Sequence, residues 1–255
     1  MDSLLILKGG YMLLGLDVGG TFTDAVIIDA HRVVATAKRR TTKDNLMNGI
    51  GEALDAVLEG YDTSNIEQVT LSTTVVTNTI VEAKEQVVDL YVITGPGRNV
   101  DDIFPVEPIY LQGYTDHRGI VVERTPADAV RGIANMVQAR SGTDLAAVSA
   151  KFGVRNPQEE LSITEELKNT YHTISNGSLL SGSLNFPRRT ISAYFNSAVT
   201  PVFTVFKENV EDALRARNIV APLHILKADG GSLPIEHMVS RPVETAFTGP
   251  AATVL

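Results

Sequence analysis

The feature that most constrains the fold is the stretch MLLGLDVGGTFTDAVIID at residues 12–29. Two apolar runs flank the pair Gly19-Gly20, and a third run, RVVATAK at 32–38, follows a short polar turn. Paired glycines between such runs are typical of a tight connection between antiparallel strands. The sequence therefore predicts an opening meander of three strands.

Strand-like and helix-like segments alternate after this meander, which favours an α/β fold built on a mixed sheet. Residues 98–118 predict mostly loop with short strands, and Pro201 predicts a kink or break near Thr200 in the last helix. The predicted strands are 12–18, 23–29, 32–38, 68–73, 86–94, 144–152 and 221–229, and the predicted helices are 43–62, 74–84, 126–142, 156–170 and 188–218.

The residue types at the glycine corner suit a complex of a nucleotide with a metal. Gly19 and Gly20 leave backbone N–H groups open to a phosphate, and the hydroxyls of Thr21 and Thr23 add donors. An aspartate repels phosphate but can hold Mg²⁺ beside it, which gives Asp17 a function as a metal ligand. The simpler alternative is a plain hairpin whose acids are solvated. The chain has no Walker A sequence and no G-x-G-x-x-G loop after a strand.

The strand register adds a second acid to this corner. If Gly19-Gly20 form a two-residue loop, Asp17 pairs with Phe22 and Gly15 pairs with Asp24. Asp17 and Asp24 then lie diagonally on one face of the sheet, within reach of a shared ion, and Gly15 leaves open space beside them.

Three further groups are candidates for binding. Thr74, Thr77 and Asn78 fall where a strand becomes a helix, where their polar groups suit an anion or a substrate carbonyl, although ordinary N-capping is an alternative. Gly230-Gly231 end another strand and form either a ligand-facing loop or a plain turn. Arg189 begins a helix, where a cation opposes the helix dipole. It therefore predicts a partner, either a carboxylate in the fold or an anionic substrate.

Composition narrows the setting of the protein. The 255-residue chain has a formal net charge of -8 and no visible basic stripe, which argues against nucleic acid as a partner. It has no cysteine, which excludes disulfides, thiolate metal sites and cysteine nucleophiles. The chain has no apolar run of about 18 residues, and its first residues make a poor signal peptide. We therefore expect a cytoplasmic protein with a small-molecule substrate and no membrane partner.

Four segments resemble the hydantoinase/5-oxoprolinase family. GLDVGGTFTDAVIID at 15–29 is similar to the first phosphate motif of the actin/Hsp70/sugar-kinase ATPase superfamily, and most similar to the version in that family. LSTTVVTNTIVEAK at 71–84, the helix at 186–203 and the end of the chain at 226–255 resemble later family motifs in the same order. The resemblance implies a ribonuclease H-like mixed sheet with helices on both faces, forming one lobe of a two-lobe ATPase.

The resemblance also implies an activity, which is the ATP-dependent opening of a cyclic amide or imide of the hydantoin or 5-oxoproline type. ATP and Mg²⁺ are the implied cofactors. The alternatives are a small-molecule kinase of the superfamily, a carboxylase subunit and a non-catalytic regulatory lobe that binds nucleotide. The resemblance implies that Asp17 and Asp24 act in catalysis and that Asp17 binds the metal. The residues implied to bind phosphate are Gly19, Gly20, Thr21, Thr23, Gly230 and Gly231. Those implied to bind substrate are Thr74, Thr77, Asn78 and Arg189.

The resemblance divides the chain into an extension at 1–11, a nucleotide-binding part at 12–84, a continuation or inserted subdomain at 85–220, and a last strand and helix start at 221–255. Family members carry a second phosphate motif and the adenosine site beyond this point. We therefore expect this chain alone to be inactive, and to need a C-terminal lobe or a second subunit. Self-association through the exposed cleft face is a further expectation.

Overall fold

The computed structural model describes residues 11–42, 46–97 and 101–248, and the chain divides into two compact units. Unit 1 comprises Met1–Glu82 and Val202–Leu255, and unit 2 comprises Ala83–Pro201. Unit 2 is therefore a continuous segment inserted between two halves of unit 1. The four-part division made from the sequence stays a prediction.

The first half of unit 1 contains the meander, followed by a helix, a strand and a short helix. Its elements are β1 (Met12–Val18), β2 (Phe22–Asp29), β3 (Arg32–Arg40), α1 (Leu46–Val57), β4 (Ile66–Thr73) and α2 (Val75–Val81).

Unit 2 contains a parallel sheet, a small hairpin and helices. Its elements are β5 (Asp89–Ile93), β6 (Ile109–Tyr110), β7 (Tyr114–Thr115), β8 (Val121–Glu123), α3 (Ala127–Ser141), β9 (Leu145–Ala150), α4 (Gln158–Leu167), β10 (Thr173–Asn176) and α5 (Gly177–Leu180). The long helix α6 (Phe186–Arg215) begins in unit 2 and ends in unit 1, where β11 (Leu223–Leu226), β12 (Ser232–Pro234) and α7 (Ile235–Met238) follow.

The sheet of unit 1 has the strand order β12-β11-β4-β1-β2-β3. The meander pairs are antiparallel, whereas β4 runs parallel to both β1 and β11. This confirms the predicted mixed sheet and its opening meander. Because parallel strands share a direction, the carboxyl ends of β1, β4 and β11 lie at the same edge of the sheet.

The two faces of this sheet differ. Alternate residues of β1, among them Leu14 and Leu16, are buried on one face, and α1 contributes buried residues at helical spacing, among them Ile50 and Leu54. The opposite face carries Leu13, which is 43% exposed. On that face the strands line an open cavity of about 610 Å³.

The sheet of unit 2 has the order β10-β9-β5-β6, with all strands parallel, and helices cover both faces. One core cluster joins the sheet to α3 and α4, and another joins it to the first half of α6. Every residue of β9 is buried, as expected for a parallel strand covered on both sides.

Several elements differ from the sequence prediction. The helix α6 continues through Pro201 without a break. The short strands β10 and β12 were not predicted, because neither contains an apolar run long enough to stand out. The predicted helix start at Gly249-Pro250 lies outside the described residues. In the part of the chain that the structure describes, no helix is long and apolar enough to cross a membrane.

Candidate functional site

The last residues that pair between β1 and β2 are Val18 and Thr23, so four residues, 19–22, lie between the paired positions rather than two. Phe22 is the first residue of β2 but pairs only with β3. The register pairs Asp17 with Asp24 and Gly15 with Val26. The predicted register, with Asp17 opposite Phe22 and Gly15 opposite Asp24, is therefore wrong. Phe22 takes part in the turn, because its carbonyl accepts the Gly19 N–H at 3.0 Å and closes a wider loop.

This register sets the two aspartates directly opposite each other rather than diagonally. Side chains in that relation have Cβ atoms about 4.5–5.5 Å apart. Lys38 Nζ contacts both carboxylate oxygens of Asp24 at 2.9 Å, whereas Asp17 is exposed and has no side-chain partner among the described residues. Like charges that face each other repel, so the pair favours a cation between them.

Gly15 has a different function from the one expected. A Cβ at Gly15 would lie 2.8 Å from Cγ1 of Val26, its actual cross-strand partner. The glycine therefore makes room for a valine and not for the carboxylate of Asp24.

Ser72 is a further candidate site residue that was not predicted from the sequence. It pairs with Asp17 across β1 and β4, it lines the same open cavity, and it is only 6% exposed. Its buried Oγ has no hydrogen-bond partner. A buried hydroxyl without a partner carries a desolvation cost, so this one suits a ligand or water beside Asp17. Only its place in an alternating strand pointed to this residue.

The junction between β4 and α2 packs directly against the glycine corner. The Val18 carbonyl accepts the Thr74 N–H at 3.2 Å, and Asn78 Nδ2 donates to Thr74 Oγ1 at 3.1 Å. A Cβ at Gly20 would lie only 2.6 Å from Asn78 Nδ2. The structure therefore brings Thr74 and Asn78 together with the corner. The helix start is capped instead by Thr73, whose Oγ1 accepts the Val75 N–H at 3.1 Å.

The chain returns to this junction near its other end. The Phe247 N–H donates to Thr77 Oγ1 at 2.7 Å, and Thr248 Oγ1 donates to the Thr73 carbonyl at 2.9 Å. Thr77 thus joins the same cluster, although its hydroxyl already accepts a backbone N–H.

The two threonines of the corner point into different surroundings. Thr21 is exposed, and its carbonyl accepts the Thr41 N–H at 2.9 Å. Thr23 is fully buried, and its hydroxyl shares a 3.0 Å hydrogen bond with Thr41 Oγ1. Thr21 is therefore open to a ligand, whereas Thr23 fastens the corner to the residue after β3.

Gly230 and Gly231 lie in the turn between β11 and β12, at the sheet edge that also holds the corner. Asp229 shapes this turn, since it accepts the Gly231 N–H at 2.9 Å and contacts Lys227 Nζ at 2.7 Å. The hydrogen bond from Lys227 lowers the pKa of Asp229, and the same bond raises the pKa of Lys227.

Arg189 lies in unit 2 and is fully buried. Its guanidinium donates to the carbonyls of Ser183 and Ala150 at 2.6 and 2.9 Å, and burial lowers its pKa. The structure places it among backbone acceptors, and its predicted contact with substrate stays a prediction.

The possible metal ligands at the corner suit Mg²⁺ better than a metal that is bound by protein side chains alone. Among the described residues no group of three or more His, Asp or Glu side chains could hold a metal ion. Mg²⁺ is usually bound by one or two carboxylates together with waters and substrate phosphates. Asp17 and Asp24, with the Ser72 hydroxyl beside them, fit that pattern.

Two solved structures share this fold. A nucleotide-free acetone carboxylase is 17% identical with a TM-score of 0.74, and the match covers 93% of this chain and 39% of that chain. The ATP-dependent caprolactamase from Pseudomonas jessenii is 20% identical with a TM-score of 0.73, and the match covers 94% of this chain and 39% of that one. The chain thus has the fold of one part of these longer enzymes, and spans about two fifths of their length.

The family follows from the sequence itself. Residues 13–171 match the model of the hydantoinase/oxoprolinase N-terminal region, and residues 189–255 match the model of hydantoinase/oxoprolinase. The chain belongs to the hydantoinase/oxoprolinase family, which confirms the resemblance seen in the four segments. No curated protein sequence matches it.

Proposed function

We propose that this chain supplies the phosphate-binding and metal-binding lobe of an ATP-dependent enzyme that opens cyclic amides or imides. The observation that carries the proposal is the convergence of an acidic glycine corner with the start of α2 at the carboxyl edge of the sheet. Family membership supports it, and so does the ATP dependence stated for both acetone carboxylase and caprolactamase.

In this proposal the exposed corner binds the phosphates of the nucleotide. The N–H of Gly20 and the Thr21 hydroxyl offer donors beside two glycines, which have no Cβ to block a phosphate. Asp17 holds Mg²⁺, and Asp24 becomes a second ligand when Lys38 releases it. Gly230-Gly231 extend the same edge.

Bound ATP would supply a phosphoryl group that turns the amide into a better electrophile for ring opening by water. The protein's own contribution is position and charge. Asn78 and Thr74 lie against the corner, where an amide and a hydroxyl can orient a carbonyl oxygen of the substrate. Asp17 concentrates negative charge where the metal is needed.

A substitution at Asp17 tests the proposal. We expect Asp17→Asn to weaken binding of a fluorescent ATP analogue by at least about tenfold with Mg²⁺ present, because the metal loses its unpaired carboxylate. Glu67→Gln is a matched control, since Glu67 is exposed at the opposite end of β4 and the charge change is the same. Equal affinities of the two variants for the Mg²⁺ complex would contradict the proposal.

A carboxylase subunit is the second candidate function, and the likeness to acetone carboxylase favours it. Assays of this chain combined with the C-terminal lobe or second subunit that it is expected to need separate the two candidates. One series uses cyclic amides, and the other uses ketones with bicarbonate. ATP-dependent ring opening supports the first candidate, and ATP-dependent carboxylation supports the second.

A further inference from the structure

The parallel sheet of unit 2 has a topological switch point, the place where open sheets of this kind leave a crevice between strand ends. From β5 the chain passes to β6 on one side, and then through α3 to β9 on the other side of β5. In open sheets of this kind, ligands bind at the carboxyl ends of the two strands between which the connections diverge. Here those ends belong to β5 and β9.

The residues at these two strand ends are Gly95 and Gly97 after β5, and Lys151 after β9. The Lys151 N–H donates to the Ile93 carbonyl at 2.8 Å, which holds the two strand ends together. Lys151 Nζ lies 3.2 Å from the Pro96 carbonyl and 2.9 Å from the place that a Cβ on Gly97 would take. Gly97 has a φ of +139°. The glycine thus lets the ammonium group lie over the loop.

Among the side chains that the structure describes, no acid compensates the charge on Lys151. Its ammonium contacts the Pro96 carbonyl and the ring of Phe152, 5.6 Å from the ring centroid. In the described parts of the chain, no carboxylate forms an ion pair with Lys151, and the N–H groups of Gly95 and Gly97 donate to no acceptor. The loop after β5 and the residue after β9 therefore bring together a cation and two N–H groups, and no described residue supplies them with an anionic partner.

Two buried polar side chains, one acidic and one basic, fix the strand end before Lys151. Glu160 Oε1 accepts the Ala150 N–H at 2.7 Å, and Arg189 Nη2 donates to the Ala150 carbonyl at 2.9 Å. Both side chains are fully buried. A donor group on so rigid a support is already in position for a ligand.

We propose that unit 2 binds a small molecule bearing an oxyanion, either a carboxylate or a phosphate, at this crevice, with Lys151 Nζ and the N–H groups of Gly95 and Gly97 as donors. The site uses residues of unit 2 only. It goes beyond the proposed function of unit 1 and does not depend on it.

The test is a titration of the ¹⁵N-labelled 255-residue chain with inorganic phosphate and, separately, with succinate at fixed ionic strength. We expect saturable shifts of the Gly95 and Gly97 amide signals with at least one probe, and the preferred probe identifies the oxyanion. Lys151→Met raises the Kd at least about tenfold because the cation is lost. Lys168→Met is the matched control, since Lys168 is an exposed lysine of the same unit paired with Glu165 at 2.6 Å.

Two outcomes overturn the proposal. One is the absence of a saturable shift at Gly95 and Gly97 with both probes, whatever the response at the glycine corner of unit 1. The other is an equal Kd for Lys151→Met and Lys168→Met. The shift map of the unaltered chain decides the first outcome even if Lys151→Met fails to fold.

Discussion

At the scale of single residues, the contact of Gly20 with Asn78 joins the glycine corner to α2. Gly20 does not have a positive φ, so its backbone does not require glycine. Glycine is needed here because Asn78 Nδ2 lies 2.6 Å from the position that a Cβ on residue 20 would take. The missing side chain lets Asn78 stay bonded to Thr74.

We expect Gly20→Ala to lower the free energy of unfolding by about 1 kcal/mol, because the methyl group displaces the Asn78 amide from Thr74. Urea denaturation of Gly20→Ala, Asn78→Ala and the double variant measures the coupling between the two positions. The double variant should lose less stability than the sum of the single ones, and strict additivity would show that the contact is unimportant. Gly182→Ala is the control, since Gly182 lies outside the helices and strands and nothing lies within 4 Å of its Cβ position.

The residues of the site were predictable from the sequence to different degrees. Asp17 and Gly20 stand in a motif with few other uses. No sequence pattern indicates that the Ser72 hydroxyl is unpaired, because the burial and the hydrogen-bond partners of Ser72 depend on the neighbouring strand. Arg189 was expected to have a partner, yet its complete burial against backbone carbonyls could not be inferred from a helix start alone.

At the scale of secondary structure, Glu160 of α4 fastens three elements of unit 2. Its carboxylate accepts the Ala150 N–H at the end of β9 and the Ser178 N–H and hydroxyl in α5. Burial raises the pKa of Glu160 above its ordinary value of 4.5, although these hydrogen bonds and the charge of Arg189 act in the opposite direction.

This shift predicts a pH dependence of stability. A raised pKa in the folded state means that folding favours the protonated acid, so the contribution of Glu160 is complete below pH 4.5 and is lost as the pH rises through the folded-state pKa. Glu160→Gln does not titrate. We therefore expect the stability of the unaltered chain, relative to Glu160→Gln, to fall as the pH increases above 4.5.

Urea denaturation of both proteins across that pH range measures the difference. Glu165→Gln serves as the control, because Glu165 is an exposed acid on the same helix, and its comparison should show no such fall. A stability difference that stays constant or grows with pH would contradict the prediction.

The elements were predicted best where the chain repeats a strong pattern. The strand β1 was predicted at its observed bounds, because an apolar run ends at a glycine pair. The register of β1 and β2 was predicted wrongly, since Gly19-Gly20 match a two-residue turn equally well. Only the hydrogen bond from the Gly19 N–H to the Phe22 carbonyl reveals the longer turn. The four-residue strand β10 lies at the edge of its sheet, and its pairing with β9, rather than its own sequence, determines it.

At the scale of the whole molecule, the chain corresponds to about two fifths of the solved enzymes that share its fold. We expect the 255-residue chain to bind Mg²⁺–ATP without turning it over, since a nucleotide cleft requires donors on both sides of the phosphates. Phosphate release should be no faster than in Asp17→Asn. Rapid Mg²⁺-dependent release that disappears in Asp17→Asn would show that one lobe is sufficient.

The insertion of unit 2 into unit 1 has a consequence for biosynthesis. A ribosome completes Ala83–Pro201 as one continuous segment, whereas the strand β11 beside β4 and the Thr248 contact with Thr73 come only afterwards. Before β11 has been synthesised, one edge of β4 has unpaired backbone groups. Such an edge is prone to pair with the wrong strand in a nascent chain. Unit 2 can therefore fold during translation, while the glycine corner and the residues packed against it are among the last parts of this chain to be completed.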